Sequence, residues 1–585
     1  MSTVCELFQR TVADRGDRDA LCTRGGEVTI TWRDYGRRVR DLAAGLAALG
    51  LARGDTLALM LVNRPEFHLA DTAALHLGAV PFSLYNNSSP EQIEYLLADS
   101  GARIVITEQA FVASIERARS ACPSIEHVFV VDGTPSLTDL EQAGAVDFDF
   151  EGRWRAVQSS DLLTLIYTSG TTGPPKGVQI THANYLAELR AFAGIADFEP
   201  GRLVSYFPMA HIAERVVSHY NAIAYGHTVT CCADPKQVIA YLPEVRPTFF
   251  FAVPRIWEKV KAALEAGIDG EPDEAKREAV RGALELGLRR VRAEQAGEVI
   301  EPDLAEQCAK ADETVFSPIR ERLGLDQVEH ILTGAAPSPV DVLEFFHAIG
   351  IEILEVWGLS ESTGLATANL PGRAKLGTVG PAAAGVELRL ADDGEVHVRG
   401  GIVMAGYRGR PDLTADAIDA EGWFHTGDVG TLDDDGYLRV VDRKKEIMIN
   451  AAGENMSPAN IEAQVKSSST LIGQACVIGD RRPYNVALIV LEPDSAATFA
   501  QLRGLPDRSL VGLACDDAVI EEIRSAVEHA NTRLSRPEQI KKFRVLGTDW
   551  EAAGAELTPT LKLKRKPIEQ KYADEIEALY AEANT

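Results

Sequence analysis

Apolar residues recur at helical spacing through residues 32–50, WRDYGRRVRDLAAGLAALG, and predict an amphipathic helix closed by Gly50. The next stretch, LARGDTLALMLVN, passes from turn residues into an apolar run and predicts a buried strand. GARIVITE and HVFVVD read as further strands, and the two patterns alternate to about residue 255. Strands separated by helices predict a mainly parallel sheet with helical covers. Residues 268–325 break the alternation: they are highly charged, carry no strand signal and predict two surface helices inserted in the α/β body. In VPRIWEKV, just before them, Trp257 is expected to be core packing on a helix.

From residue 385 short strands and Gly/Asp turns take over, with hairpin signals at 392–394 and 433–436. Beyond 442–458, DRKKEIMINAAGENMSP, a fresh alternation begins: NIEAQVKSSS as helix, IGQACVIGD and NVALIVLEP as strands. The expected class is therefore α/β. A large N-terminal domain of layered α/β subdomains spans 1–441, with a helical insert at about 268–325 and a small β-rich subdomain at about 377–441. A smaller α+β domain spans 442–585.

The 585 residues suffice for several domain-sized cores, and 45% hydrophobic with 25% charged residues excludes disorder over most of the length. The formal charge of −27 repels nucleic acid and anionic lipid at long range. None of the eight cysteines forms a CxxC pair, so they read as reduced, mostly buried small hydrophobes. No signal peptide, transmembrane run or lipid-anchor motif is read, and a cytoplasmic location is expected.

The strongest chemical signal is LLTLIYTSGTTGPPKGV at 162–178. A buried strand runs into Thr168, Ser169, Gly170, Thr171, Thr172, Gly173 and then Lys176. Small residues let the backbone turn sharply and present its N–H groups to an anion. The hydroxyls add donors, and the lysine adds a mobile charge. The spacing is not that of a Walker A loop, because Pro175 precedes Lys176 and Gly177 follows it.

YTSGTTGPPKG resembles the signature of the adenylate-forming enzymes: acyl-CoA synthetases, peptide-synthetase adenylation domains and firefly-type luciferases. The family's other motifs follow in order: FPMAHIAER (207–215), LTGAAPSP (332–339), EVWGLSES (355–362), WFHTGD (423–428), VVDRKKEIMINAAGENMSP (440–458) and LTPTLKLKRK (557–566). The "AHIAER" form, the segment FFFAVPRIWEKV and the charged insert look most like the long-chain and bubblegum-type synthetases.

The resemblance implies a two-step reaction. A carboxylate attacks the α-phosphorus of ATP, giving acyl-AMP and pyrophosphate, and a thiol then displaces AMP. It implies ATP, Mg²⁺ and CoA as cofactors and co-substrate, with a fatty acid as substrate and no nucleic acid. The loop 168–177 would cradle the β- and γ-phosphates, and Thr168 with Glu361 would bracket Mg²⁺. Gly334, Ala335 and Ala336 would line the adenine pocket, with Trp357 stacked on the base beside Gly358 and Ser360. Asp428 would accept from the ribose hydroxyls, helped by Arg443. His211 would stand near the acyl carboxylate and α-phosphate; by spacing alone His219, eight residues on, could share a helix face with it, and no metal is expected there. Lys562 would bridge carboxylate and α-phosphate, while Lys564, Arg565 and Lys566 would be surface or CoA-phosphate contacts.

The family also implies a rotation of the C-terminal domain, a mobile lid, about a hinge at Lys445. Residues 446–455 would then shape the pantetheine channel, with Ala452-Gly453 replacing the usual glycine pair. The favoured activity is a long-chain fatty acid–CoA ligase. Loading of a carrier protein, an aryl or sterol side-chain acid, and a non-catalytic binding scaffold are the competing readings. Weak peripheral membrane contact, and the choice between monomer and homodimer, stay open.

Overall fold

The computed structural model describes residues 2–168, 174–450, 454–552, 554–558 and 560–581. Its largest sheet has seven strands in the spatial order Gly406–Tyr407, Lys176–Thr181, Leu162–Thr168, Val80–Ser83, Thr56–Met60, Ile104–Thr107 and His127–Val130. The last five run parallel, and the first two are antiparallel additions at one edge. Strands such as TLALM and IVIT are buried along their whole length, as a sheet covered on both faces requires. One hydrophobic core lies on each face: Leu57, Leu59 and Ile106 on one side, Ala58, Val105 and Phe82 on the other.

The helix over Trp32–Ala48 starts at Thr31, whose side chain accepts from Asp34 N–H, and gives way to Gly50 at φ +82°. Two further four-stranded sheets complete the α/β layers. One is built round Asp19–Thr23 and Thr228–Cys231, the other round Phe249–Ala252, His330–Thr333 and Ile353–Trp357. Trp257 packs edge-on against Phe250 and Phe346 beside the second, as core.

The charged segment holds the two expected helices, Glu274–Gln295 and a second run from Pro302 to Leu323 that passes through a π-helical stretch at Asp312–Phe316. The first buries a stripe at Ala283, Gly287 and Val291, spaced i, i+4, i+8, beneath its charges. A Cβ on Gly287 would sit 2.5 Å from Ala348 O, so glycine lets this helix close onto the helix Val340–Ala348. Arg290 then donates to His347 O and Arg292 to Glu344, each at 2.9 Å. The insert is thus a cover for the third sheet, and its composition hid the buried stripe.

Residues 386–443 form a four-stranded antiparallel sheet with turns at both predicted hairpins. Further along, Ile472–Ile478, Asn485–Leu491 and Ile540–Leu546 make a three-stranded sheet around which residues 448–579 gather two cores of their own. Asp442 ties the two regions: its carboxylate accepts from Ser457 Oγ at 2.7 Å and from Ala459 N–H at 3.2 Å, at the start of the helix Pro458–Ser467. Across the cleft, Arg255 donates to Ile472 O at 3.3 Å and Arg533 pairs with Asp341 at 3.4 Å.

Among the described residues the cysteines are all free, and no helix is long and apolar enough to cross a membrane.

Candidate active site

Thr168 and Lys176 are cross-strand partners, so the strands Leu162–Thr168 and Lys176–Thr181 close the base of the glycine-threonine loop. Ser169, Gly170, Thr171, Thr172 and Gly173 lie outside the described residues. Tyr95 anchors the returning limb by donating to Pro175 O at 3.0 Å. Lys176 Nζ rests 4.6 Å above the ring of Tyr407, and Tyr407 donates its hydroxyl to Glu361 Oε1 at 2.9 Å. Burial and the neighbouring Glu361 charge both push the Tyr407 phenol upward, so it stays a donor.

Tyr407 was not a predicted site residue. Only the pairing of Gly406–Tyr407 with the lysine strand brings it there, and no local motif announces that.

Glu361 sits in the tight turn Ser360–Ser362 after the strand Ile353–Trp357. Gly358 is obligatory in this turn: a Cβ would meet Gly364 O at 2.2 Å. Met404 N–H donates to Glu361 O at 2.9 Å and Thr363 Oγ1 to Ile402 O at 2.6 Å, locking the turn onto residues 402–404. Gly334 likewise lets its loop approach Val356 O, with Ala335 next to it at φ +68° and both Ala335 and Ala336 exposed.

Asp428 and Arg443 face each other across the strands Phe424–Leu432 and Leu438–Arg443. The ion pair spans 2.8 Å, and Trp357 Nε1–H donates to the other carboxylate oxygen at 2.9 Å. Burial pushes Asp428 up, while Arg443 and the indole pull it back. Trp357 was expected to act through its ring face; the structure adds this hydrogen bond through its edge.

His211 caps a short helical turn, and Ala213 N–H donates to its Nδ1 at 3.2 Å. The neutral ring then carries its proton on Nε2, as a donor. Burial, and after it the Lys562 charge, push His211 down to about 3. His219 does not share its face. The chain winds as a π-helix over Arg215–Tyr220, and His219 is fully buried between Asp71 and His68, at 2.9 and 3.0 Å. Arg215 pairs with the same Asp71 and donates to Ser83 at 2.8 Å.

Lys562 arrives from the C-terminal region. Its side chain keeps surface open to water, yet protein closes round it, the setting of a side chain standing in a cleft. That burial, then Arg443, lowers its pKa, and Asp428, Glu446 and Glu361 act against them. Lys562 therefore feels His211, Glu361, Asp428 and Arg443 together.

Arg565 corrects an expectation. It is an internal brace, donating to Glu462 at 2.6 and 2.8 Å and to Glu446 at 3.3 Å. Lys564 donates to Gly554 O at 2.8 Å, and Lys566 is exposed. Lys445 lies exposed in the turn after Arg443. Beyond it, Met448–Ile449 pairs with Asn455–Met456; Ala452 and Gly453 lie outside the described residues.

Residues 8–408 match the model of the AMP-binding enzyme family, and residues 445–584 match its C-terminal domain. The chain belongs to the AMP-binding enzymes. It is 51% identical to fadD11 of Mycobacterium tuberculosis over 77% of this chain and 79% of that protein. It is 30% identical to ACSBG2 of Xenopus laevis, named a long-chain-fatty-acid–CoA ligase, over 100% of this chain and 84% of that one. The crystal structure of the anthranilate CoA ligase AuaEII with anthranoyl-AMP shares the fold, at a TM-score of 0.72 and 19% identity over 98% of each chain. The family's large N-terminal and smaller C-terminal parts are both present in this AMP-binding enzyme.

Proposed function

We propose that this AMP-binding enzyme activates a long-chain fatty acid with ATP and transfers the acyl group to CoA. The observation that carries it is Lys562, brought from the far end of the chain into electrostatic reach of His211 on one side and of Asp428 and Glu361 on the other. The name borne by ACSBG2 supports the long-chain acid.

In the first step a carboxylate oxygen attacks the α-phosphorus and pyrophosphate leaves. The Lys562 ammonium neutralises both anions as they approach, and Nε2–H of His211 donates to the charge that develops between them. A His211 that stays neutral supplies this donor throughout the working pH range. Asp428, its second oxygen held by Trp357, accepts from the ribose, and Trp357 with the Gly334–Ala336 loop flanks the base. Thr168, Lys176 and the glycine-threonine loop bind the outer phosphates.

Among the described residues no cluster of three or more His, Cys, Asp or Glu could hold a metal. A hard ion that keeps phosphate and water ligands needs only one or two protein oxygens, which Glu361 and Thr168 would supply. Mg²⁺ there would neutralise phosphate charge during displacement. In the second step the CoA sulfur attacks the acyl carbon and AMP leaves. The lid turns about Lys445 between the two steps, withdrawing Lys562 and exposing residues 446–455 to the thiol. The enzyme works in the cytoplasm.

The test is acid-dependent ATP–pyrophosphate exchange, followed by mass spectrometry with CoA or a phosphopantetheinyl carrier protein. Long-chain acyl-CoA is the expected product. Acyl-carrier product alone, or exchange only with aryl acids, overturns the reading.

A further inference from the structure

Glu188 lies on the helix His182–Ala193, which follows directly from the Lys176 strand. It is 1% exposed, and its Oε2 has no hydrogen-bond partner. Leu365 N–H bonds the carboxyl, but burial still drives its pKa well above the ordinary value. The group is therefore a neutral acid with a proton to donate.

It is not isolated. Asn221 Nδ2 and Tyr225 OH are also buried without partners. Tyr185, one turn before Glu188, donates to Asn221 Oδ1 at 3.0 Å and lies in electrostatic reach of both Glu188 and Tyr225. Unsatisfied buried polar groups are costly, and several in one place call for a polar occupant.

The position of this group relative to the reaction is set by Gly364, at φ +117° and three residues after Glu361. A Cβ there would stand 3.4 Å from Glu188 Oε1, 3.7 Å from Ile212 Cγ1 and 3.8 Å from Val216 Cγ2. Ile212 immediately follows His211. The glycine thus leaves a notch between the turn that carries Glu361, the helix that carries His211, and the Glu188 carboxyl. Phe192, Phe251 and Leu365 are buried together beside it as an apolar cluster, with the partly buried Ala213 packed against them.

Resting on the acyl activation proposed above, we propose that Glu188 is a specificity-determining residue of the acyl site. Its carboxyl O–H donates to an oxygen carried on the chain near the reacting carboxylate, so the preferred substrate is a hydroxylated or oxo fatty acid rather than a plain one.

The test measures kcat/KM of the full-length enzyme with ATP, Mg²⁺ and CoA. The substrates are hexadecanoic acid, its 3-oxo derivative, and isomers hydroxylated at successive carbons from the second to about the sixth. At least one oxygenated acid should exceed hexadecanoic acid by about tenfold, the scale of one buried hydrogen bond. Glu188→Gln, which keeps a donor, should retain the preference. Glu188→Leu should erase it, and hexadecanoic acid should gain rather than lose, because no buried donor is then left unpaired against the plain chain. Melting curves of both variants accompany the kinetics, and the wild-type panel decides alone if neither variant folds. No preference in the wild type, a preference that survives Glu188→Leu, or an equal loss on every acid overturns the assignment. Turnover of the plain acid without a preference overturns only this inference; no turnover of any acid overturns the acyl-activation reading beneath it.

Discussion

Trp357 gives its indole N–H to Asp428 at 2.9 Å, and Arg443 holds the other oxygen of the same carboxylate at 2.8 Å. The two donors come from different elements and keep a buried carboxylate oriented. A hydrogen bond to a charged acceptor contributes about 1.5–3 kcal/mol. Trp357→Phe should therefore raise the KM for ATP by about tenfold, with kcat for adenylation falling less. Pyrophosphate exchange at varied ATP checks it; an unchanged KM removes the role.

Lys562 lies in electrostatic reach of His211 and Asp428, and in the mechanism proposed above it serves the first step only. Lys562→Ala should lower acid-dependent pyrophosphate exchange by about 10²–10³-fold, the usual loss when one charge-stabilising group is removed. Thiolysis of supplied acyl-AMP should be nearly unchanged. Equal losses in both assays would contradict the role.

Tyr407 holds Glu361 by a hydrogen bond and Lys176 by its ring face. Tyr407→Phe keeps the ring and removes only the hydroxyl. The Mg²⁺ concentration for half-maximal exchange should rise by about tenfold, from one charge-assisted hydrogen bond lost. Fluorescence titration of Mg²⁺ with ATP, without acid, should show the same shift. If Mg²⁺ dependence is unchanged while exchange falls, Tyr407 acts through packing or through Lys176 instead.

Glu355 lies two residues before Trp357 on the same strand, and burial raises its pKa to about 8 against the Gly377 N–H that bonds it. Folded Glu355 thus holds a proton that the unfolded chain releases above about 4.3. Its contribution to stability is full below that value and is lost as pH rises towards about 8. Glu355→Gln should gain melting temperature relative to the parent steadily from pH 5 to pH 8. A difference that is flat with pH would show that Glu355 ionises normally.

Much of this was legible in the chain. Period-two and period-3.6 patterns marked the strands and helices, because burial selects apolar residues at the spacing of each backbone. The loop at 168–177 stood out through its glycines and hydroxyls, whereas Glu361, Asp428, Arg443 and Lys562 were singled out only by motifs that resemble the adenylate-forming enzymes. Where composition masked the pattern, as in the buried stripe Ala283, Gly287, Val291, the reading as a solvated surface failed.

Tertiary structure alone decided the rest. Tyr407 reaches Glu361 only because its strand adds to the edge of the Lys176 strand, some 230 residues away in sequence. Arg565 looked like a solvated cation until the fold set Glu462 and Glu446 against it. His219 is held by Asp71 and His68, which come from a distant helix, and Glu188 is pushed towards its neutral form because neighbouring elements close over it. A one-dimensional pattern records which side of an element is buried. It does not record which distant side chain will lie there, and pKa, hydrogen bonding and charge all depend on that neighbour.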